Sequence, residues 1–124
     1  MNLINYPPPL LAAIKLAENS TYKHRHGAVL VKHGRIVGRG INSIRHHKYS
    51  KFYPYPCSCH AETAAILDCR TSLRNSVLYT ARINTSSFYR NGSPCLSCRN
   101  LLYDLGIRVV IYTTNNGFAK EKLC

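Results

Sequence analysis

Apolar and polar residues follow two different periods along this chain, and the changes of period mark its elements. After Pro7, Pro8 and Pro9, which suit the first turn of a helix, Leu10, Leu11, Ile14 and Ala17 recur at helical spacing. They predict a helix running to about Ser20. Two short apolar runs follow, over 27–32 (GAVLVK) and 35–41 (RIVGRGI), separated by His33 and Gly34. A two-residue connection containing glycine predicts an antiparallel hairpin. Residues 42–58 hold no sustained period and read as a long irregular segment. Helical composition returns over 60–70, where Ala61, Ala64, Ala65 and Leu67 are good helix formers. A strand is predicted over 76–83 and a loop rich in Ser, Asn and Gly over 84–93. A second helix runs over 94–105, opened by Pro94 and closed by Gly106. The strand over 107–113 is apolar enough to be buried on both faces. Asn115, Asn116 and Gly117 then turn the chain into a short terminal segment, expected to be helical.

The order is α-β-β-α-β-α-β. Strands separated by helices form crossovers that pack on a sheet, so the expected fold class is α/β. Its architecture is a three-layer α/β/α sandwich, with a mixed sheet of four to five strands that begins in an antiparallel hairpin. No repeat, low-complexity tract or linker interrupts the chain, so 1–124 reads as one domain. With 124 residues and 45% hydrophobic content it can bury a core without disulfides. No stretch approaches the ~20 apolar residues that a spanning helix needs, so no membrane partner is expected. The start, Met1 to Tyr6, has neither the basic residues nor the long apolar run of an export signal. The six Cys read better as metal ligands and buried thiols than as a disulfide framework. A reducing compartment is therefore expected, cytoplasm or nucleus.

Charge changes the picture. There are 17 Lys and Arg against 5 Asp and Glu, a net charge of +12. Between Asn19 and Ala61 there is no acidic residue, while Lys23, Arg25, Lys32, Arg35, Arg39, Arg45, Lys48 and Lys51 all fall there. Such a balance points to a polyanionic partner or a phosphorylated substrate, against the plainer reading of a solvated basic face.

Candidate chemistry is concentrated in two short motifs. His60-Ala61-Glu62 is followed, 32 residues after the Glu, by Pro94-Cys95-Leu96-Ser97-Cys98. One His and two Cys can hold a zinc ion and leave its fourth position open. A Glu two residues from the His is placed to carry protons. A C-x-x-C alone would fit a redox pair or half of a structural zinc site, with Cys57, Cys59, Cys69 or Cys124 as a fourth ligand. Neither alternative gives Glu62 a purpose. The ordered pattern H-x-E…P-C-x-x-C is the signature of zinc nucleobase deaminases. His60, Cys95 and Cys98 are thus the expected zinc ligands and Glu62 the expected proton carrier. Both motifs open helices, whose positive N-termini favour thiolate over thiol.

On these residues the chain resembles the cytidine and deoxycytidylate deaminase superfamily, from the first helix to Tyr112. The runs at 27–31 and Gly40-Ile41-Asn42 are similar to that family's first hairpin. The resemblance implies that Asn42 contacts the substrate sugar, and that the backbone around Ala61, with Ser93 and Pro94, helps to hold the base. His at position 60 looks like the deoxycytidylate, tRNA adenosine and polynucleotide cytosine deaminases, whereas tetrameric free-cytidine enzymes typically use Cys there. Ser93 before Pro94-Cys95 is similar to the cytosine-acting members. The resemblance further implies self-association into a homo-oligomer. Related deoxycytidylate enzymes can carry a second, structural zinc, which Cys57 or Cys59 with His46 or His47 could supply, against a simpler reading as packed or free thiols.

The expected function is conversion of cytosine to uracil in a free nucleoside or nucleotide such as dCMP, with zinc as cofactor. Two readings compete with it. A polynucleotide deaminase acting on single-stranded DNA or RNA would use the basic and aromatic residues between Arg45 and Tyr55 to track phosphates and stack bases. A non-catalytic zinc-stabilised module would bind nucleic acid without turnover.

Overall fold

The computed structural model of the protein describes residues 5–44, 47–52 and 58–123. Three helices and eight strands follow in the order α1 (Pro8–Ala17), β1 (Arg25–Lys32), β2 (Arg35–Ile41), β3 (Ser43–Ile44), β4 (Ser58–Cys59), α2 (Ala61–Asp68), β5 (Val77–Ile83), β6 (Tyr89–Arg90), α3 (Leu96–Asp104), β7 (Val109–Thr113) and β8 (Phe118–Lys122). The main sheet runs β2-β1-β5-β7-β8, with β6 paired to the end of β5. Only β5 and β7 are parallel, joined by the α3 crossover; every other pair is antiparallel. The mixed sheet and its opening hairpin match the predicted architecture. His33 (φ 51°) and Gly34 (φ 75°) both take the left-handed conformation that a two-residue hairpin turn requires.

The helices divide between the faces as a three-layer sandwich demands. On one face, Leu10, Ala13 and Ile14 of α1 pack with Tyr6 against Val29 and Ala81. On the other, Ala61, Ala65 and Ile66 of α2 and Cys98, Leu101 and Leu102 of α3 pack on Ala28, Leu30, Leu78 and Val110. Leu10, Leu30, Leu78 and Leu102 are completely buried, each contributing about 1.5–3 kcal/mol relative to exposure.

Two sequence expectations need correction. The segment after Asn115-Asn116-Gly117 is a strand rather than a helix: β8 pairs antiparallel with β7 from Val109↔Lys122 to Thr113↔Phe118. The segment over 42–58 is not wholly irregular, because Ser43 and Ile44 pair with Cys59 and Ser58 as a two-stranded ribbon, and a 3-10 turn spans Ser50–Phe52. Both predicted inner helices also begin slightly later than their motifs, at Ala61 and Leu96. Among the described residues no helix is long and apolar enough to cross a membrane.

Candidate active site

The sheet places the site where β5 ends and α2 and α3 begin, the crevice beyond the carboxyl ends of strands that open α/β sheets offer to ligands. His60 is the N-cap of α2 and Cys95 the N-cap of α3, both in extended backbone. An N-cap side chain lies beside the first turn rather than buried in it, so each can reach across to the other helix. Cys98 lies in the first turn of α3, fully buried in the core on that face. The loop that carries Cys95 is fastened to the sheet. Thr80 Oγ1 donates to the Gly92 carbonyl at 2.6 Å, and the Gly92 N–H donates to the Thr113 carbonyl at 2.9 Å.

These supports bring three ligand atoms together. His60 Nδ1 lies 3.6 Å from Cys95 Sγ and 3.4 Å from Cys98 Sγ, and all three atoms are within 4.8 Å of one another. Tetrahedral zinc, with bonds of about 2.3 Å to sulfur and about 2.0 Å to nitrogen, holds such ligands roughly 3.6 Å apart. The spacing fits one zinc ion with a position left open. The Cys95 thiol is pushed down to about 4, first by its hydrogen bond with Cys98 and then by His60, so it stands ready as a thiolate ligand. Among the described residues this is the one cluster of three or more metal-capable side chains. Cys59 is buried beside the His60 carbonyl (Sγ to O 3.8 Å), and among the described residues no second cluster forms on it or on His47. Cys57 and His46 lie outside the described residues.

Glu62 sits in the first turn of α2, 5% exposed. Burial is the main influence on its carboxyl and raises it above the usual carboxylate range, the direction that suits a group exchanging protons near neutral pH. It faces a cavity of about 300 Å³, whose wall includes Tyr22, His24, His26, Asn42, Ala61, Ser93 and Cys95. Larger clefts of about 440 and 460 Å³ lie along β2 and between α3 and β8, and neither reaches the three ligands.

Of the residues expected to hold substrate, Asn42, Ala61 and Ser93 line this cavity, whereas Pro94 is buried and is not part of its wall. Asn42 also has structural duties. Its Oδ1 accepts from the Ser20 hydroxyl at 2.7 Å and from the His26 N–H at 3.0 Å, and its Nδ2 donates to the His24 carbonyl at 2.8 Å. The aromatic-basic segment is less clearly at the site. Tyr49 packs against the core, with Lys48 over its ring at 5.2 Å, while Arg45, Tyr53 and Tyr55 fall outside the described residues.

The sequence reading did not single out His24, His26 or Arg82. His26 alternates with Ala28 and Leu30 along β1, and that period places it on the cavity side. Burial, then the nearby Arg82, push its imidazole down to about 4, so it is a neutral wall. Arg82, on β5, hydrogen-bonds His24 Nδ1 through Nη2 at 2.9 Å and pairs across strands with Arg90. Its buried Nε has no hydrogen-bond partner among the described residues.

Comparison with known proteins agrees with this geometry. Residues 9–114 match the family described as the cytidine and deoxycytidylate deaminase zinc-binding region. No curated protein matches the sequence. The fold is similar to that of dCMP deaminase from the cyanophage S-TIM5 in its apo form, at 24% identity over 84% of this chain and 78% of that one, with a TM-score of 0.64. It is likewise similar to that phage enzyme in complex with dCMP and dUMP, at 22% identity over 83% and 76%, with a TM-score of 0.63. Cytidine deaminase from Burkholderia pseudomallei shares 19% identity over 93% of this chain and 90% of its own, with a TM-score of 0.65. Because the family match spans most of the chain and includes both halves of the zinc motif, the protein belongs to the cytidine and deoxycytidylate deaminase family of zinc-binding enzymes.

Proposed function

We propose that the protein is a hydrolytic deaminase that converts cytosine to uracil in a free nucleotide, with dCMP or CMP as the substrate class. The observation that carries this reading is the buried Glu62 facing the same cavity as His60 and Cys95, beside Cys98. Zinc bound by His60, Cys95 and Cys98 supplies Lewis-acid activation of water. Glu62 takes a proton from the attacking water, passes it to the ring nitrogen, and returns a proton to the departing amine. Water and aminopyrimidine enter; ketopyrimidine and ammonia leave. The low-dielectric surroundings raise the proton affinity of the Glu62 carboxyl, the direction that favours its taking up a proton and passing it on.

The remaining wall supports a nucleotide. Asn42 Nδ2 uses one N–H on the His24 carbonyl and has a second for a sugar hydroxyl. Ala61 and Ser93 flank the position for the base. His24, held by Arg82, supplies a basic rim where a 5′-phosphate would lie, and the unpartnered Arg82 Nε favours an anion nearby.

Ammonia release with cytidine, dCMP, CMP, adenosine and cytosine-containing single strands tests the reading directly. Turnover of dCMP or CMP well above cytidine is the expected outcome; activity on adenosine alone would overturn it. The net charge of +12 favours a second reading, a single-strand substrate. That reading requires turnover of strands that falls steeply as salt rises, because counterion release dominates such binding.

A further inference from the structure

The turn that carries Cys95 needs more support than a helix can give it. Cys98 is locked by the core packing of α3, but Cys95 is exposed and stands at the N-cap with φ −68° and ψ 169°. There its carbonyl accepts the first helical bond, from the Arg99 N–H at 2.8 Å, while its own backbone is already extended. The sheet fastens the loop only as far as Gly92. Between Gly92 and Cys95, the Ser93 N–H is turned onto Asn91 Oδ1 at 2.8 Å, and the other support comes from one side chain.

That side chain is Arg99, one turn along α3. Its Nε donates to the Pro94 carbonyl at 3.0 Å and its Nη2 to Ser93 Oγ. Nη1 and Nη2 also donate to the Glu121 carboxylate of β8 in a bidentate pair. Glu121 is held in turn by Tyr112 of β7, whose hydroxyl donates to Oε2 at 3.3 Å. We infer that Arg99 is a positioning residue for the zinc site: it fixes the Pro94–Cys95 peptide, and with it the direction of the Cys95 thiolate, while Glu121 and Tyr112 fix Arg99.

Two comparisons favour this role over plain stabilisation. The ion pair is about one-third exposed, 28% at Arg99 and 34% at Glu121, and pairs so exposed contribute little to folding. The guanidinium nonetheless spends two of its donors on the residues just before a metal ligand. The planar fork makes four bonds at once, to a carbonyl, a hydroxyl and both carboxylate oxygens; a lysine ammonium, with three donors on one nitrogen, cannot. The arrangement also gives β8 a purpose at the site, since its one inward carboxylate completes the clamp.

The inference rests on the zinc reading of His60, Cys95 and Cys98, and a zinc-release assay separates the two. Zinc-loaded wild type, Arg99→Gln, Arg99→Lys and Glu121→Gln are mixed with excess chromogenic chelator and the rate of zinc transfer is followed. Removing groups that orient metal ligands typically costs 10- to 100-fold in affinity, so both Arg99 variants should release zinc about tenfold faster or more, and Glu121→Gln should fall between them and wild type. Their kcat should fall more than KM rises, and the unfolding midpoint of the zinc-free proteins should barely move. A merely structural role would lower that midpoint and leave release unchanged. Folded Arg99→Gln releasing zinc at the wild-type rate overturns the inference. If Arg99→Gln does not fold, wild-type release by Glu121→Gln overturns it instead. Wild type that takes up no zinc overturns the metal reading itself.

Discussion

A Cβ atom on Gly40 would stand 2.4 Å from the carbonyl oxygen of Ala61. The first turn of α2 therefore lies directly on the backbone of β2, and the residue before Ala61 is the ligand His60. The same added atom would meet Ala65 N at 2.5 Å and Ala64 Cβ at 2.6 Å, so no single side chain can yield to admit it. Gly40→Ala must push α2 away from the sheet. Overpacking of this kind costs typically about 1–3 kcal/mol, and backbone contacts place this site at the upper end. The variant should unfold roughly 10 °C below wild type, taking about 4 °C per kcal/mol for a domain of this size. It should also bind zinc more weakly, because His60 moves with the helix. Thermal unfolding and zinc content measure the two effects, and a variant unchanged in both would mean that α2 packs elsewhere.

Asn42 ties three segments together with one amide, and its loss should be felt in folding as well as in binding. Asn42→Ala leaves the His26 N–H and the His24 carbonyl without their partner, at a cost of about 1–3 kcal/mol for groups partly shielded from water. Asn42→Asp keeps the acceptor but loses the donor to His24, so it should cost less than Asn42→Ala. Both should raise KM for the best substrate. A rise in KM with undiminished stability would show that the amide serves only the ligand.

The chemistry of the site was legible in the sequence because zinc chemistry restricts both residue type and spacing. A His, a Glu two residues later and a Pro-Cys-x-x-Cys survive any change of fold detail, and here they converge within hydrogen-bonding distances. The hairpin was legible for a similar reason, since His33 and Gly34 permit few other connections. β8 was not. Its inward positions are Ala119, Glu121 and Leu123, so a carboxylate stands where an apolar residue would have completed the alternation. That carboxylate faces Arg99 rather than the core, which explains both the missing pattern and the presence of the strand. Arg99 itself looks like any solvated helix residue until the Pro94 carbonyl is seen beside it. Of the basic-aromatic segment, Tyr49 packs partly against the core, while Arg45, Tyr53 and Tyr55 lie outside the described residues.

Metal removal should separate the three ligands from everything around them. A ligand bound only by the folded state stabilises it by about 4 kcal/mol when present at a thousand times its dissociation constant. Chelation should therefore lower the unfolding midpoint of wild type by many degrees and abolish turnover, and zinc should restore both. His60→Ala, Cys95→Ala and Cys98→Ala should each leave less than one zinc per chain and respond little to chelator. Full zinc occupancy in any one of them would remove that residue from the ligand set.

Glu62 tests the proton-transfer role without disturbing the metal. Gln has the same shape, cannot take a proton, and carries no charge to desolvate. Since burial already raises the Glu62 carboxyl, Glu62→Gln should fold at least as well as wild type and hold a full zinc. Turnover is another matter. General acid–base catalysis by one group is worth about 10²–10⁴-fold, and Glu62 would serve in more than one transfer, so kcat should fall to the upper end of that range or beyond. Substrate should still bind, since the cavity wall is intact, and the variant should retain a dissociation constant near that of wild type by calorimetry. Normal zinc with turnover within tenfold of wild type would assign proton transfer to another group. Loss of zinc would instead make Glu62 part of the metal's support. Unchanged behaviour in every assay, including wild type with no turnover on any nucleotide or strand, would leave a zinc-stabilised binding domain, whose buried carboxylate then has no chemical task.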